Sequence, residues 1–391
     1  MSKTKVSAQF YRQPRYYNSF SCIGGSCPMS CCLIWRVDWT RDEVEKLKNT
    51  ECSEHLRELI NSSFKENGEK YMIQMDEKRR CPFLTEDNFC SIQRELGAEY
   101  LSHVCTVYPR NSRLNGNNIL NYCNLSCYHI MDTLCNDKNC MILENYRFTA
   151  KKSGRATIDN EIDTLNHPEL KYRQQLFEFF YEIISDESHS VETSITLGAL
   201  AAQSISKLIG KGAYDKIPDS ISALKKQLNN PEQLKKLEDI KPNYAVKFGF
   251  LNELNKIIIK SNIIDMISEN GAISIDKYNS GMEKFRSDFA ERPFALRNIA
   301  LNLLLECKMP FRDKNCGFFE NYCYYAAAFA AIKLVAAAIY TSINNPERGF
   351  KSSSAYISRY FAHDDFKVKQ ILDVFKELNC MSPAYIALII N

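Results

Sequence analysis

Several common signatures are missing from this 391-residue chain. It has no excess charge of one sign: 50 lysines and arginines stand against 47 aspartates and glutamates. A net charge of +3 leaves no electrostatic footprint for nucleic acid. The opening stretch MSKTKVSAQFYRQPRYYNSF contains no apolar run, which argues against a secretory signal there. Strands do not alternate with helices, and no glycine-rich strand–loop–helix fingerprint occurs. A doubly wound sheet and a Rossmann-type nucleotide site are therefore not expected. Histidine is scarce, with six in all, and neither a hydrolase triad nor a phosphate loop is visible.

Cysteine is plentiful and unevenly placed. Of the 16 cysteines, twelve fall before residue 141. The densest group is Cys22-IGGS-Cys27-PMS-Cys31-Cys32. It is followed by Cys81-PFLTEDNF-Cys90, by Cys105-TVYPR and by Cys123-NLS-Cys127. Without a leader the expected compartment is the cytoplasm, where thiols stay reduced. There a dense cysteine pattern reads as metal-binding rather than as a disulfide scaffold. Ligands three to five residues apart can wrap one centre from a single loop. Gly24 and Gly25 permit the tight turns, and Pro28 stiffens them.

The expected metal ligands are Cys22, Cys27, Cys31, Cys32, Cys81, Cys90, Cys105 and Cys127, with His103 and His129 as weaker candidates. Neighbouring side chains diverge, so Cys31 and Cys32 do not readily meet at one atom. An all-sulfur set suits a [4Fe–4S] cluster or zinc equally. Cys52, Cys135 and Cys140 lie outside the tight spacing and read as structural, while Cys123 is ambiguous.

The composition changes near residue 150. The expected fold class is mainly α: a small cysteine-rich α+β metal-binding domain over 1–149, a polar linker over 150–167, and a helical domain over 168–391. In the first part, Thr40 and Glu43 have capping-box spacing for a helix. Leu56, Leu59, Ile60 and Phe64 share a helical face, and Tyr71, Ile73 and Met75 alternate like a strand. A hairpin from that strand to 89–92 and a helix over 94–104 complete the expectation. This core is too sparse to stand alone, and a metal would supply stability. The second part reads as helices over 168–187, 193–210, 231–239, 244–269, 275–289, 293–307, 317–343, 353–362, 364–379 and 382–390. The apolar run over 324–343 approaches membrane-span length, but Lys333 interrupts it and alanine dominates. It reads as a buried core helix, with no membrane partner.

The Cys31-Cys32 pair, CPFL at 81–84, CSI at 90–92, Cys105, YPR at 108–110 and LSC at 125–127 together resemble the flagellin lysine-N-methylase family. FYRQPRYYNSFSC at 10–22 is similar to the family's beginning, and FFENY at 318–322 resembles a further element. The resemblance implies transfer of a methyl group from S-adenosylmethionine to lysine amines of flagellin, with a [4Fe–4S] cluster on the N-terminal cysteines. The CxxxCxxC run typical of radical S-adenosylmethionine chemistry is absent.

Such transfer needs a neutral amine, and free lysine has a pKa of about 10.4. Tyr108, Glu320 and Tyr322 are the expected catalytic groups around the amine. Arg110 and Arg80 are the expected partners of the cofactor carboxylate. The alternative is a non-enzymatic, metal-stabilised module that binds a protein through its helical half.

Overall fold

The computed structural model describes residues 10–33, 37–147, 167–228, 230–258, 263–312, 316–362 and 365–391. The expected linker over 150–167 lies outside these residues, apart from His167.

The molecule is built around one helix, Phe318–Ser342. Every residue from Phe318 to Tyr340 except Glu320 is buried. Alanines at 326–328, 330–331 and 336–338 make it thin enough for neighbours to approach on all sides. Its length and composition would suit a membrane span, yet its apolar window is wholly buried within the fold. Around it pack the helices Arg173–Ser185, Val191–Gly210, Tyr244–Ile258, Ile275–Asp288, Phe294–Glu306, Pro346–Ala362, Asp365–Glu377 and Pro383–Ile390. The closest approach is at Gly281 on Ile275–Asp288. A Cβ there would stand 2.0 Å from the Ala337 carbonyl oxygen.

The mainly α expectation for this half holds, with three differences, one being that the helix expected over 353–362 starts at Pro346. The helix Ile217–Leu228 was not anticipated. Pro218 lies in its first turn, where proline is tolerated, and Ile217, Ile221, Leu224 and Leu228 are buried on one face. The single helix expected over 244–269 is instead Tyr244–Ile258 and Ile263–Ile267. A short hairpin then pairs Ser268 with Ile273 around Asn270 (φ +53°) and Gly271 (φ +80°).

The cysteine-rich part divides between two cores. A four-stranded sheet has the order Arg110–Asn115, Asn118–Cys123, Phe10–Pro14, Leu143–Arg147. Gly116 (φ +62°) opens the two-residue loop of its hairpin. Phe10–Pro14 runs parallel to Asn118–Cys123 and antiparallel to Leu143–Arg147. Tyr16, Leu120, Cys123, Leu125, Ile130 and Leu134 belong to the same apolar core as the C-terminal helices.

Phe294–Glu306 grips this layer through three polar residues spaced four apart. The Asn298 amide donates to the Leu134 and Asp137 carbonyls at 3.1 and 3.0 Å. The Asn302 amide donates to the Cys123 carbonyl at 3.0 Å and accepts from the Tyr16 hydroxyl at 2.5 Å. A Glu306 carboxyl oxygen accepts from Leu125 N–H at 3.2 Å.

A second, smaller core stands apart: Trp39, Val44, Leu47, Leu56, Ile60, Ile73, Phe83 and Ile92. The expected capping box is present on Arg41–Lys48. The Thr40 hydroxyl accepts from Glu43 N–H and the Glu43 carboxylate accepts from Thr40 N–H. The strand Lys70–Ile73 pairs with Phe64–Asn67 and Asp38–Thr40, not with residues 89–92 as expected. The Cys81–Cys90 stretch closes on itself instead, by a Leu84–Cys90 bridge. The helix expected over 94–104 is also broken. Ser91–Glu95 ends before Gly97 (φ +98°), and a new helix, His103–Val107, starts on a Ser102 cap.

Two tests follow. Gly281→Val should cost about 3 kcal/mol in urea denaturation, because the close approach of the two helices cannot absorb a side chain. The second concerns Glu306, whose carboxyl is pushed up to about 8 by burial from an ordinary 4.5, against the Leu125 hydrogen bond and Arg312. Between those two values the folded chain keeps a proton that the unfolded chain has lost. Stability should therefore fall as pH rises through that window, by up to about 1.4 kcal/mol per pH unit. Glu306→Gln should flatten the slope, and an unchanged pH profile would refute the assignment.

Candidate metal centre

Cysteines at four separate points of the chain converge on one region beside the small core. The loop after the short helix Tyr16–Ser19 turns at Gly24 (φ +55°), where Cys27 N–H donates to the Gly24 carbonyl at 3.0 Å and Gly24 N–H points at Cys22 Sγ at 3.4 Å. Gly25 is needed for a different reason. A Cβ there would meet the Asp87 carbonyl oxygen at 2.6 Å, so only glycine lets this loop lie against the 85–89 turn. Cys81 N–H donates to the Cys32 carbonyl at 2.9 Å, next to a Leu33–Arg80 bridge. Cys105 sits in the helix capped by Ser102, whose hydroxyl accepts from Cys105 N–H at 3.1 Å. Cys127 is the N-cap residue of Tyr128–Asn136 and so follows the Leu125 backbone held by Glu306.

All 16 cysteines are free thiols. Cys31 and Cys32 share a hydrogen bond. That bond, with a second from Ser30, holds Cys32 down at about 7, while the same contact and burial drive Cys31 far up. Burial pushes Cys105 and Cys127 up to about 12. Neighbouring thiols add to both: Cys32 and Cys90 act on Cys105, and Cys27 and Cys22 act on Cys127. Cys81 is raised by burial and then by Cys32, Cys90 and Cys105. The expected eight thus share one electrostatic neighbourhood. In donor chemistry they suit a thiophilic metal or cluster. Among the described residues, however, no three His, Cys, Asp or Glu side chains stand close enough to hold one metal ion. No chemical step is therefore assigned to such a group.

Of the other expected site residues, Tyr108 lies beside the thiols and Arg80 adjoins Cys81. The Tyr108 hydroxyl is 3.1 Å from Ser126 Oγ, and burial raises it well above the ordinary tyrosine range, with Cys127 and Cys31 adding to the shift. Arg110 donates to the Phe20 carbonyl at 2.9 Å and lies 4.8 Å over the Phe20 ring. Arg80 donates to the Thr85 carbonyl at 3.3 Å and lines an open depression with Asp76, Glu77, Lys78 and Glu86.

Two expected residues have structural partners elsewhere in the fold. Tyr322 is fully buried in the helical core and donates its hydroxyl to the Ile195 carbonyl at 2.8 Å, so it acts in packing. Glu320 caps the central helix, accepting from Gly317 N–H at 2.8 Å and pairing with Lys376 at 3.0 Å. Neither reaches the cysteines or a catalytic cavity. Of the weaker histidine candidates, His129 places its ring 5.8 Å from that of Phe20.

The residues that sequence reasoning missed come from Pro346–Ala362. Tyr356, Arg359 and Tyr360 share one face of that helix. Burial lowers the Arg359 guanidinium, and the proximity of Tyr108, Cys31, Tyr356 and Cys127 opposes that shift. The two tyrosine hydroxyls stand 3.2 Å apart. The i, i+3, i+4 spacing was visible, but nothing local linked it to cysteines more than 200 residues away.

Residues 177–389 match the family model for the FliB lysine N-methylase C-terminal domain. The chain belongs to that family. Two proteins named lysine-N-methylase, from Salmonella choleraesuis strain SC-B67 and Salmonella typhimurium strain LT2, are 25% and 24% identical to it over 354 residues. Each alignment covers 83% of this chain and 85% of the relative. That share exceeds what the residues from 177 onward can supply, so the similarity runs into the cysteine-rich part. The flagellar biosynthetic protein FliU of Salmonella muenchen is 30% identical over 135 residues, 34% of this chain and 80% of that protein. No solved structure matches.

Thiol reactivity tests the arrangement. In metal-free protein, brief iodoacetamide treatment should label the exposed Cys22, and Cys32, whose thiol is held down at about 7, before the buried Cys123, Cys135, Cys140, Cys307, Cys323 and Cys380. Reconstitution with iron and sulfide should protect the expected eight in peptide mapping. Early labelling of the buried six would contradict the packing described above.

Proposed function

We propose that this chain is a protein-lysine N-methyltransferase that transfers methyl groups from S-adenosylmethionine to lysine side chains of flagellin. Family membership carries the reading, supported by the two relatives named lysine-N-methylase over most of both chains. The flagellin assignment draws on the name of the third relative, a flagellar biosynthetic protein. The cysteine region is the place for a thiolate-held group, a [4Fe–4S] cluster or zinc. Cys22, Cys27, Cys31, Cys32, Cys81, Cys90, Cys105 and Cys127 are the ligand candidates. Such a group would supply covalent closure of loops that the small core alone holds weakly.

In the simplest form of the reaction, the lysine nitrogen lone pair forms a bond to the methyl carbon as the carbon–sulfur bond breaks. The sulfonium becomes a neutral thioether, and the amine's proton leaves to solvent or a nearby base. The requirement on the protein is a site that disfavours the ammonium form, by burial or by nearby positive charge. The fold achieves such a shift elsewhere. Buried Lys247 is pulled down to about 6, mainly by desolvation and then by Lys333.

The decisive experiment is anaerobic purification with metal analysis, followed by incubation with S-adenosylmethionine and the host's flagellin. Intact mass should rise by one methylene unit per transfer, with the gain on lysine peptides. Unmodified flagellin with protein that retains its native fold would overturn the proposal.

A further inference from the structure

The helix Pro346–Ala362 carries two half-buried tyrosines whose hydroxyl groups are under-used. Tyr356 and Tyr360 stand four residues apart on one face, with hydroxyl oxygens 3.2 Å apart and ring centroids 5.8 Å apart. Tyrosines of the central helix direct their hydroxyl protons to backbone carbonyls: Tyr322 donates to Ile195 at 2.8 Å and Tyr324 to Phe361 at 2.7 Å. Tyr356 and Tyr360 have only each other as hydrogen-bond partners among the described residues. Two hydroxyls that share one hydrogen bond leave one O–H proton and most of their lone pairs open. Burial, helped by the Tyr356 contact, holds the Tyr360 hydroxyl up at about 12, so it stays a neutral phenol at working pH.

The helix holds this face firmly. Phe350, Ile357 and Phe361 bury the adjoining side in the apolar core. The first turns are tied by Glu347 to Arg292 at 2.8 Å and by Lys351 to Asp132 at 2.7 Å. The Tyr324 hydroxyl anchors the last turn.

Beneath the tyrosines lies Arg359, only 9% exposed, with its guanidinium 5.9 Å from the Tyr356 ring centroid. Its charge acts on both tyrosines and on Tyr108, Cys31 and Cys127, so this face and the thiols share one neighbourhood. Arg79, two residues before Cys81, acts on Tyr360 as well. A side chain arriving from solvent therefore meets the hydroxyls first and feels a fixed positive charge behind them. A neutral amine suits this arrangement. It donates hydrogen bonds to the hydroxyl oxygens and keeps its own lone pair free, while the two rings cover an apolar stem. The ammonium form adds a charge that Arg359 opposes.

We propose that Tyr356 and Tyr360 receive the target lysine of the protein substrate, and that Arg359 acts as a positioning residue that disfavours its ammonium form. The proposal rests on the methyltransferase reading above and adds the place where the acceptor amine is held before transfer.

Initial rates of methyl transfer to the host's flagellin, taken across pH at several flagellin concentrations with protein purified anaerobically, separate kcat from KM. Wild-type kcat should rise with pH to a plateau, with a midpoint below the free lysine value of about 10.4. Arg359→Gln removes the opposing charge, so the midpoint should move up by about one pH unit. Arg359→Lys keeps the charge and should keep the midpoint. Tyr356→Phe combined with Tyr360→Phe removes two oxygen atoms and should lower kcat/KM about tenfold or more, with unchanged thermal unfolding. An unmoved midpoint in Arg359→Gln, as an anion held by Arg359 would give, overturns the assignment. So do wild-type kinetics in the double tyrosine variant, which would mean packing alone. Both results leave the methyltransferase reading standing. No methylation by the wild type, in protein of proven fold, would overturn that reading and this proposal with it.

Discussion

Lys333 sets the terms for the rest of the fold. Its ammonium lies in the middle of a helix buried on every side, and a lone charge there would cost several kcal/mol. The cost is met by Glu192 at 2.6 Å and the Ile390 carbonyl at 2.5 Å. Three elements are thereby tied to one atom: the central helix, the start of Val191–Gly210 and the end of Pro383–Ile390. The arrangement is a constraint more than a source of stability, since a buried pair of this kind roughly balances its desolvation. What it contributes is registry. It fixes the depth at which the first turn of Val191–Gly210 sits.

From this centre, position passes outward by polar contacts as much as by packing. Asn298, Asn302 and Glu306 lie on the face of Phe294–Glu306 turned toward the N-terminal layer, where they bind backbone groups. An apolar ridge there would have allowed sliding, whereas directional bonds do not. The Leu125 backbone held by Glu306 leads directly to Ser126 and Cys127, so the edge of the thiol region is set from the helical core. The remaining thiols depend on the small core of eight apolar side chains and on glycines that let loops touch, Gly25 above all.

Much of this was legible in the sequence, for identifiable reasons. The long amphipathic helices showed their period, and the capping box at Thr40 and Glu43 predicted a helix start that the fold contains. The clustered cysteines pointed to the region where the thiols gather. The four-stranded sheet was hidden because its strands do not alternate. In RNSRLN and NILNYC the buried positions include Arg113, Asn115, Asn118 and Asn121, polar residues that a pattern reader assigns to loops. They are buried because the layer is covered on both faces. Ser112 and Gln13 bond Asn121 within the layer, and the Arg113 guanidinium reaches the Met309 carbonyl at 2.6 Å. Residues on both sides of position 150 contribute to one core. Composition changes there, but the apolar core does not. Tyr322 misled in the opposite way: a polar tip in a motif looked functional, and its single bond to a carbonyl shows a tyrosine satisfying itself in a core.

The loops around the small core bear on what a thiolate-held group would do in this fold. A group that takes part directly in bond making must touch the reacting atoms. The small lobe has a different need. Eight buried apolar side chains cannot offset the conformational entropy of the loops between residues 20 and 107, and all of the expected ligands except Cys90 and Cys105 lie in irregular segments. Ligation by thiolates from four points of the chain would close those loops at once, and it would hold Arg359 and Tyr108 against a fixed wall. On this argument the cysteines shape the surface that a protein substrate meets.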